Sequence, residues 1–463
     1  LVQPGTAHAV TDRLVGVAFD EAGDLCVTGL VEAFAQGAVL KIGMQGVILQ
    51  PVGQFSEVIQ LSPVECAESI EKACARICQW IDTGHGGGGQ QAGKTGGGNS
   101  NEAGAVHNRY SYRKRGSRTG GNVDFKTTNP ATGQSKEICS AMTAPGLAVA
   151  MSGAASAAVE WGMRDIHERC ELVAGVARVL RENPEDYARL MTLEMGKPIA
   201  EARAEVEKSA LGCDYYAQHG PEFLADELID SDAGRSLVCY QPLGTVLAIM
   251  PWNFPFWQVF RFAAPALVAG NTCLLKHASN VPQCALAIQS LFATAGFPEH
   301  VFSTLMLPSS RVAAVIEDPR VHAVTLTGSE PAGRQVAAKA GAQIKKTVLE
   351  LGGSDAFIVL EDADLDLAVE VAVTSRFLNT GQSCIAAKRF IVVETVADEF
   401  VRRFRTAVEA LTMGDPLNEN NRLGPMARHD LRDELHRQVV ESIAQGAKAV
   451  TGCSPEGGDG AYY

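Results

Sequence analysis

A thiol carried on a polar, glycine-containing turn differs in kind from a thiol in an apolar run, and Asn379-Thr380-Gly381-Gln382-Ser383-Cys384 is such a turn. It presents Cys384 on a loop, where a thiolate can reach a ligand, rather than in a core. Upstream, Val348-Leu349-Glu350-Leu351-Gly352-Gly353 sets a glycine pair after a glutamate, and glycines there let the backbone approach a ligand closely. A third segment, Met250-Pro251-Trp252-Asn253-Phe254-Pro255, follows the apolar run Val246-Leu247-Ala248-Ile249. An amide fixed between two prolines at the carboxyl end of a strand sits where open α/β sheets bind ligands, and it can donate to a developing oxyanion. Each segment alone also has a bland reading. Most of the twelve cysteines are expected to be inert buried thiols, and the two prolines could simply end a strand.

The elements that must position these residues are legible from Asp124 onward. Amphipathic helical patterns cover 147–162, 166–181, 184–195 and 198–219. Short β-branched runs follow at 237–250, 272–276, 321–327, 356–360 and 390–393, with helical patterns between most of them. Strand and helix in alternation predict an α/β fold with parallel sheets covered by helices.

The first 123 residues read differently. Residues 1–83 hold short apolar runs such as 35–50 and a helical pattern over 63–81, with no fold assigned. Residues 84–123 form a glycine-rich and basic linker, too poor in apolar side chains over 84–104 to order itself. Gly88 to Thr95 matches the spacing of a phosphate-binding loop, but that mechanism needs a strand before it and a helix after it, and glycine lies on both sides here. A nucleotide hydrolase would also need an acidic strand within 1–83, and none stands out. Tyrosines alternate with cations over 109–118, and this stretch is read as solvated linker rather than a nucleic-acid contact.

With 463 residues, 46% hydrophobic and 20% charged, the chain can bury two or three ordinary cores. A formal net charge of −13 repels polyanions, so no nucleic-acid partner is expected. No apolar run is long enough for a membrane span, and no secretory signal precedes the first domain. The cysteines lack paired spacing and read as reduced thiols, with no metal site, which predicts a cytoplasmic or mitochondrial setting.

Taken together, PWNFP, LLK, LTGS, LELGG and GQSC stand in the order found in the aldehyde dehydrogenase superfamily. The likeness covers 124–463, with Asn129-Pro130-Ala131-Thr132-Gly133 and Leu193-Glu194-Met195-Gly196-Lys197-Pro198 included, and it most resembles the succinate-semialdehyde branch. The resemblance implies a parallel Rossmann-like cofactor domain over 124–352, with an oligomerisation-type segment near 222–242, and a partial α/β catalytic domain over 353–463. It implies Cys384 as the nucleophile, the Asn253 amide and the Cys384 backbone N–H as oxyanion donors, and Glu350 as the base that activates water.

For a bound NAD or NADP, the resemblance places Trp252, Lys276, Ser279, Gly328, Ser329 and Leu351 around the cofactor. Ser279, unlike a glutamate, does not repel a 2′-phosphate, so NADP is expected to be tolerated. Arg261 resembles a carboxylate anchor for the aldehyde substrate. A second anchor of some members is Leu378 here, with Arg376 two positions away. A homodimer or homotetramer is expected. Family members also carry an E-x-F-G-P segment, a P-F-G-G turn and a closing strand that this sequence lacks. The catalytic domain is therefore read as truncated, with an inactive fragment that at best binds dinucleotide as the competing reading.

Overall fold

The computed structural model describes residues 124–463 and, before them, a few short strands. The helical pattern at 63–81, the linker at 84–123 with its Gly88–Thr95 loop, and the basic stretch at 109–118 lie outside the described residues. Thr6–Ser117 is a unit of its own. Within it, Val15–Phe19, Leu25–Gly29, Ala38–Gly43, Gly46–Pro51 and Glu57–Ile59 pair antiparallel in sequence order.

The other unit, Leu1–Gly5 with Arg118–Tyr463, includes a hairpin of β1 (Asp124–Thr128) and β2 (Ser135–Ser140). Four helices follow: α1 (Ala144–Met163), α2 (Ile166–Glu182), α3 (Pro184–Met195) and α4 (Ile199–Phe223). Their starts are written locally. The Thr143 hydroxyl accepts from Gly146 N at the head of α1, and the Asp165 carboxylate accepts from His167 N at the head of α2. Gly196 ends α3 in the left-handed region at φ 78°, and a Cβ there would lie 2.8 Å from Pro425 Cγ. Both the turn and the close approach therefore require glycine.

The run expected at 237–250 is in fact two strands. β3 (Glu227–Ile229) and β4 (Ser236–Val238) form a short antiparallel hairpin, and β5 (Thr245–Met250) belongs to the main sheet. Pro242 and Gly244 separate them, Gly244 at φ 114° and against the His322 ring. Proline cannot donate to a ladder and this glycine turns the chain, so an uninterrupted strand is impossible.

The main sheet adds β6 (Thr272–His277), β7 (Phe302–Thr304), β8 (Val321–Thr327) and β9 (Lys346–Glu350), all parallel, in spatial order β7-β6-β5-β8-β9. The connections include α5 (Trp257–Val268), α6 (Pro282–Thr294), α7 (Val312–Glu317) and α8 (Glu330–Ala342). Strands in such a layered sheet are buried on both faces, and every residue of β6 is buried. Alternate side chains divide between two cores: Ala248, Met250, Cys273 and Leu275 pack with α2 to α6, and Leu247, Leu274 and Leu326 pack with α1, α7 and α8. The strand order reverses between β5 and β8, which opens a crevice at their carboxyl ends.

A second, smaller element set follows. β10 (Asp355–Val359) and β11 (Ala387–Val392) pair in parallel, and α9 (Leu365–Phe377) and α10 (Glu394–Glu409) cover them through Val359, Val369, Phe400 and Phe404. Ile358 and Ile391 are exposed. α11 (His429–Ala444) is the last helix of the chain. Among the described residues no helix is long and apolar enough to cross a membrane.

One buried carboxyl links the helical layer to the sheet. Glu194 is fully buried and accepts from Gln283 N and Cys284 N, both at 2.9 Å, at the head of α6, where Val281 has no capping side chain. Burial outweighs these hydrogen bonds and pushes the carboxyl up to about 7 from its ordinary 4.5. Between those values the native chain holds a proton that the unfolded chain has released, so this group's contribution to stability falls as pH rises through the window. Glu194→Gln should remove that part of the dependence. Urea unfolding of both proteins at about pH 5 and pH 7.5 tests it, and an unchanged stability difference between them would contradict the assignment.

Candidate active site

Asn253 and Trp252 sit in the turn that joins the carboxyl end of β5 to α5, and Gly328 and Ser329 lead from β8 into α8. Trp252, Gly328 and Ser329, three of the expected cofactor residues, therefore flank the crevice where the strand order reverses. Ser329 is the N-cap of α8 and makes no side-chain cap bond, which leaves the first backbone N–H groups of the helix to an anionic ligand. A Cβ on Gly333 would lie 2.6 Å from Leu351 Cδ2, so α8 rides directly on the segment after β9. Leu351 is placed as a packing partner of this helix.

Lys276 lies in β6 and is only 8% exposed. Desolvation lowers its ammonium pKa, and it has no hydrogen bond or ion pair with another residue among those described. A buried cation in this state fits a ligand hydroxyl or phosphate oxygen. Ser279 is exposed in the loop after β6. Between them His277 is buried, with Nε2 2.9 Å from the Pro255 carbonyl and Nδ1 accepting from Ala278 N at 2.8 Å. The carbonyl can only accept, so the proton is on Nε2, and burial lowers the imidazole to about 4. A neutral His277 thus ties the Asn253 turn to the strand carrying Lys276.

Cys384 is half-buried on the loop between α9 and β11. The loop is shaped by Asn379, Thr380 and Gly381, all in the left-handed region, at φ 56°, 55° and 73°. Asn253 Nδ2 donates to the Gln382 carbonyl at 3.0 Å, and Asn379 Nδ2 donates to the Asn253 carbonyl at 2.7 Å. These two bonds join the amide predicted to hold an oxyanion to the loop predicted to hold the nucleophile. Gly353 closes the other side, where a Cβ would meet the Cys384 carbonyl at 3.3 Å. Lys388 Nζ donates to the Ser383 and Cys384 carbonyls at 3.0 and 2.8 Å.

Glu350 ends β9 with its side chain about half exposed, and its carboxylate lies 3.7 Å from Arg261 on α5. The proposed base and the proposed substrate anchor therefore face each other. Arg376 does not face them with free donors: its guanidinium donates to the Ala387 and Gly381 carbonyls, and Leu378 is exposed.

Three residues had no role in the sequence reading, although Lys197 was part of a quoted motif. The Glu205 carboxylate, 4% exposed, accepts from Phe256 N at 2.9 Å and Trp257 N at 3.0 Å. Its second oxygen pairs with Lys197, 1% exposed, whose ammonium also lies 4.0 Å from the centre of the Phe254 ring. One turn earlier on α4, Glu201 accepts from Asn379 N at 2.7 Å. Burial raises the Glu201 carboxyl pKa, against the Asn379 hydrogen bond and the Lys197 charge, which lower it.

Comparison with known proteins identifies the family. The sequence pattern of the aldehyde dehydrogenase family matches residues 117–463. The NAD(P)+ succinate semialdehyde dehydrogenase Sad of Escherichia coli (strain K12) is 50% identical over 335 residues, covering 72% of this chain and 72% of that protein. The NADP(+) succinate-semialdehyde dehydrogenase 1 of Mycobacterium ulcerans is 50% identical over 345 residues, covering 74% of this chain and 75% of that protein. The crystal structure of succinic semialdehyde dehydrogenase from Streptococcus pyogenes in complex with NADP+ superposes with a TM-score of 0.72 at 36% identity, over 73% of this chain and 75% of that one. A strand order with its crevice at the β5–β8 reversal, a thiol loop bound to an asparagine turn, and matches of this extent lead to one conclusion: the chain belongs to the aldehyde dehydrogenase family.

Proposed function

We propose that this chain oxidises succinate semialdehyde to the dicarboxylic acid with NAD or NADP, through a covalent intermediate on Cys384. The observation that carries this reading is the bond from Asn253 Nδ2 to the Gln382 carbonyl, two residues before the thiol. One hydrogen of that amide is engaged there, and the second remains to donate to the oxyanion formed when the thiolate adds to the aldehyde carbon. The Cys384 backbone N–H supplies the other donor. Glu350 then takes a proton from the water that releases the acid from the thioester. Lys276 would hold a ribose hydroxyl of the dinucleotide and the head of α8 its pyrophosphate, with Trp252 alongside. When bound, the nicotinamide supplies the hydride acceptor. Ser279 places no carboxylate against a 2′-phosphate, which supports use of NADP as well as NAD.

The domain reading follows the same line, with a cofactor half over 124–352 and a catalytic half over 353–463. Leu228, Ile229 and Val238 of the β3–β4 hairpin are exposed, in keeping with a segment that joins subunits of a homo-oligomer. Steady-state assays with succinate semialdehyde and propanal, each with NAD and NADP, test the activity. Dinucleotide binding without oxidation of either aldehyde would overturn it.

Arg261 supports the choice of substrate, because a guanidinium is the natural partner of a carboxylate. A hydrogen-bonded charge contact is worth roughly 1.5 to 3 kcal/mol, or about ten- to a hundredfold in binding. Arg261→Leu is accordingly expected to raise KM for succinate semialdehyde by about tenfold or more relative to KM for propanal. The neutral aldehyde is the needed control, since Arg261 also neighbours Glu350. Equal changes with both substrates would assign the arginine to the base instead.

A further inference from the structure

The oxyanion donor and the nucleophile are carried on two different connecting segments, 126 or more residues apart in sequence, the second opening with a kinked 3-10 turn over Leu378–Gly381. Two bonds between the loops, from Asn253 Nδ2 and Asn379 Nδ2, set their mutual distance. Those bonds do not by themselves fix either loop to the rest of the protein. His277 holds the Asn253 turn at Pro255, Arg376 and Lys388 hold carbonyls of the nucleophile loop, and the first turns of α4 reach both loops at once. Glu205 holds Phe256 N and Trp257 N, and Lys197 covers the Phe254 ring, so the Asn253 turn is gripped on its α4 side. Glu201, four residues before Glu205 and on the same face of the helix, holds Asn379 N. Asn379 tolerates the left-handed region, but the β-branched Thr380 beside it is there too, a conformation that persists only where its surroundings impose it.

We propose that Glu201 and Glu205 are positioning residues, a pair of carboxylates on one helix face that registers the oxyanion-donor turn against the nucleophile loop. This rests on the reading of Asn253 and Cys384 given above. The two carboxylates act on backbone N–H groups, so they set the loops' geometry without touching substrate or cofactor. Lys197 pairs with Glu205 and its charge also acts on Glu201, which lets two acidic groups one turn apart share a largely desolvated site. The arrangement couples the two loops through a rigid helix, so that displacing either anchor opens the gap across which the carbonyl oxygen must be held.

The test uses the full chain with Glu201→Ala and Glu201→Gln. Alanine removes the acceptor for Asn379 N, whereas glutamine keeps a side-chain oxygen at the same reach. In Glu201→Ala, amide hydrogen exchange of the peptide spanning 378–384 should accelerate by about tenfold or more. Its kcat should fall by about ten- to a hundredfold, with KM for the dinucleotide within about twofold. Glu201→Gln should restore most of both. For Glu205, where simple truncation would leave Lys197 charged and buried, the double variant Lys197→Met/Glu205→Gln keeps an acceptor for Phe256 N and Trp257 N and should retain kcat within several-fold.

Unchanged exchange at 378–384 in Glu201→Ala overturns the proposal, as does failure of glutamine to rescue. A parallel loss of kcat, dinucleotide binding and melting temperature overturns it too, because that marks a general structural role. If the unaltered chain oxidises no aldehyde while exchange responds to alanine and recovers with glutamine, the clamp stands and the activity reading alone is lost.

Discussion

Replacing Cys384 with alanine is expected to lower aldehyde oxidation by about 10⁴-fold or more while dinucleotide binding survives. The size follows from the role. A thiolate that forms the covalent bond has no substitute in an alanine methyl, and the remaining donors can only polarise an aldehyde they no longer trap. The fold has little to lose at this position, since Cys384 is half-buried and its backbone carbonyl keeps the bond from Lys388 in the variant. Four of the other described thiols are poorly suited to take over. Cys213, Cys273 and Cys284 are buried, and burial pushes their thiols far up, away from the thiolate form. Cys239 is exposed, but its hydrogen bond to Asp226 also raises it. Peptide mapping after treatment with iodoacetamide adds a second readout: the 379–388 region should be modified in the parent chain and unmodified in the variant. Turnover retained in Cys384→Ala would remove the thiol from the mechanism.

The contrast between what could and could not be read from the sequence has a physical cause. The loop and turn positions of Cys384 and Asn253 were legible because their immediate neighbours, glycines, prolines and an amide, favour loops and turns. The roles expected of them and of Glu350 came only from the family resemblance. Helix α3 was bounded as expected, Pro184 to Met195, because proline opens it and Gly196 closes it, and β8 likewise spans 321–327 as expected. The strand reading failed where local signals conflicted. The apolar side chains of 237–250 suggested one run, and Pro242 with Gly244 overruled them. β7 has only three residues, too few to show a period, and β9, Lys346-Thr347-Val348-Leu349-Glu350, is largely exposed, so its sequence carries little of the buried-strand signature.

The carboxylates of α4 illustrate a different limit. Glu201 and Glu205 in the sequence Glu201-Ala202-Arg203-Ala204-Glu205 have the spacing of an ordinary solvated helix face, and Arg203 does pair with Glu185 and Glu419 at the surface. Only the packing of 251–257 and 379–384 against α4 turns one glutamate inward as a remote helix cap and the other into an anchor. Burial of this kind arises from contacts distant in the chain, and no periodicity records it. A weaker signal was available in Asn379-Thr380-Gly381, since asparagine and glycine tolerate the left-handed region and such residues mark strained functional loops.

The second large effect concerns Glu350. Glu350→Gln is expected to allow the first half of the reaction and to stall the second, because a base is needed to activate water against the thioester and not for the initial attack by the thiolate. The geometry supports a mobile base. Its side chain is about half exposed, and the contact with Arg261, at 3.7 Å, joins two groups that are both open to water. Such a pair contributes little, so it can separate at small cost as the carboxylate moves toward the bound ester. Rapid mixing of the variant with NADP and succinate semialdehyde should show a burst of about one reduced cofactor per site, followed by turnover slowed by about 10²- to 10⁴-fold. Hydroxylamine, which attacks a thioester without a base, should then restore part of the steady rate. A steady-state rate equal to that of the parent chain would take Glu350 out of the hydrolytic step. Loss of the burst itself would show that the carboxylate already acts before the thioester forms, as the base that deprotonates Cys384.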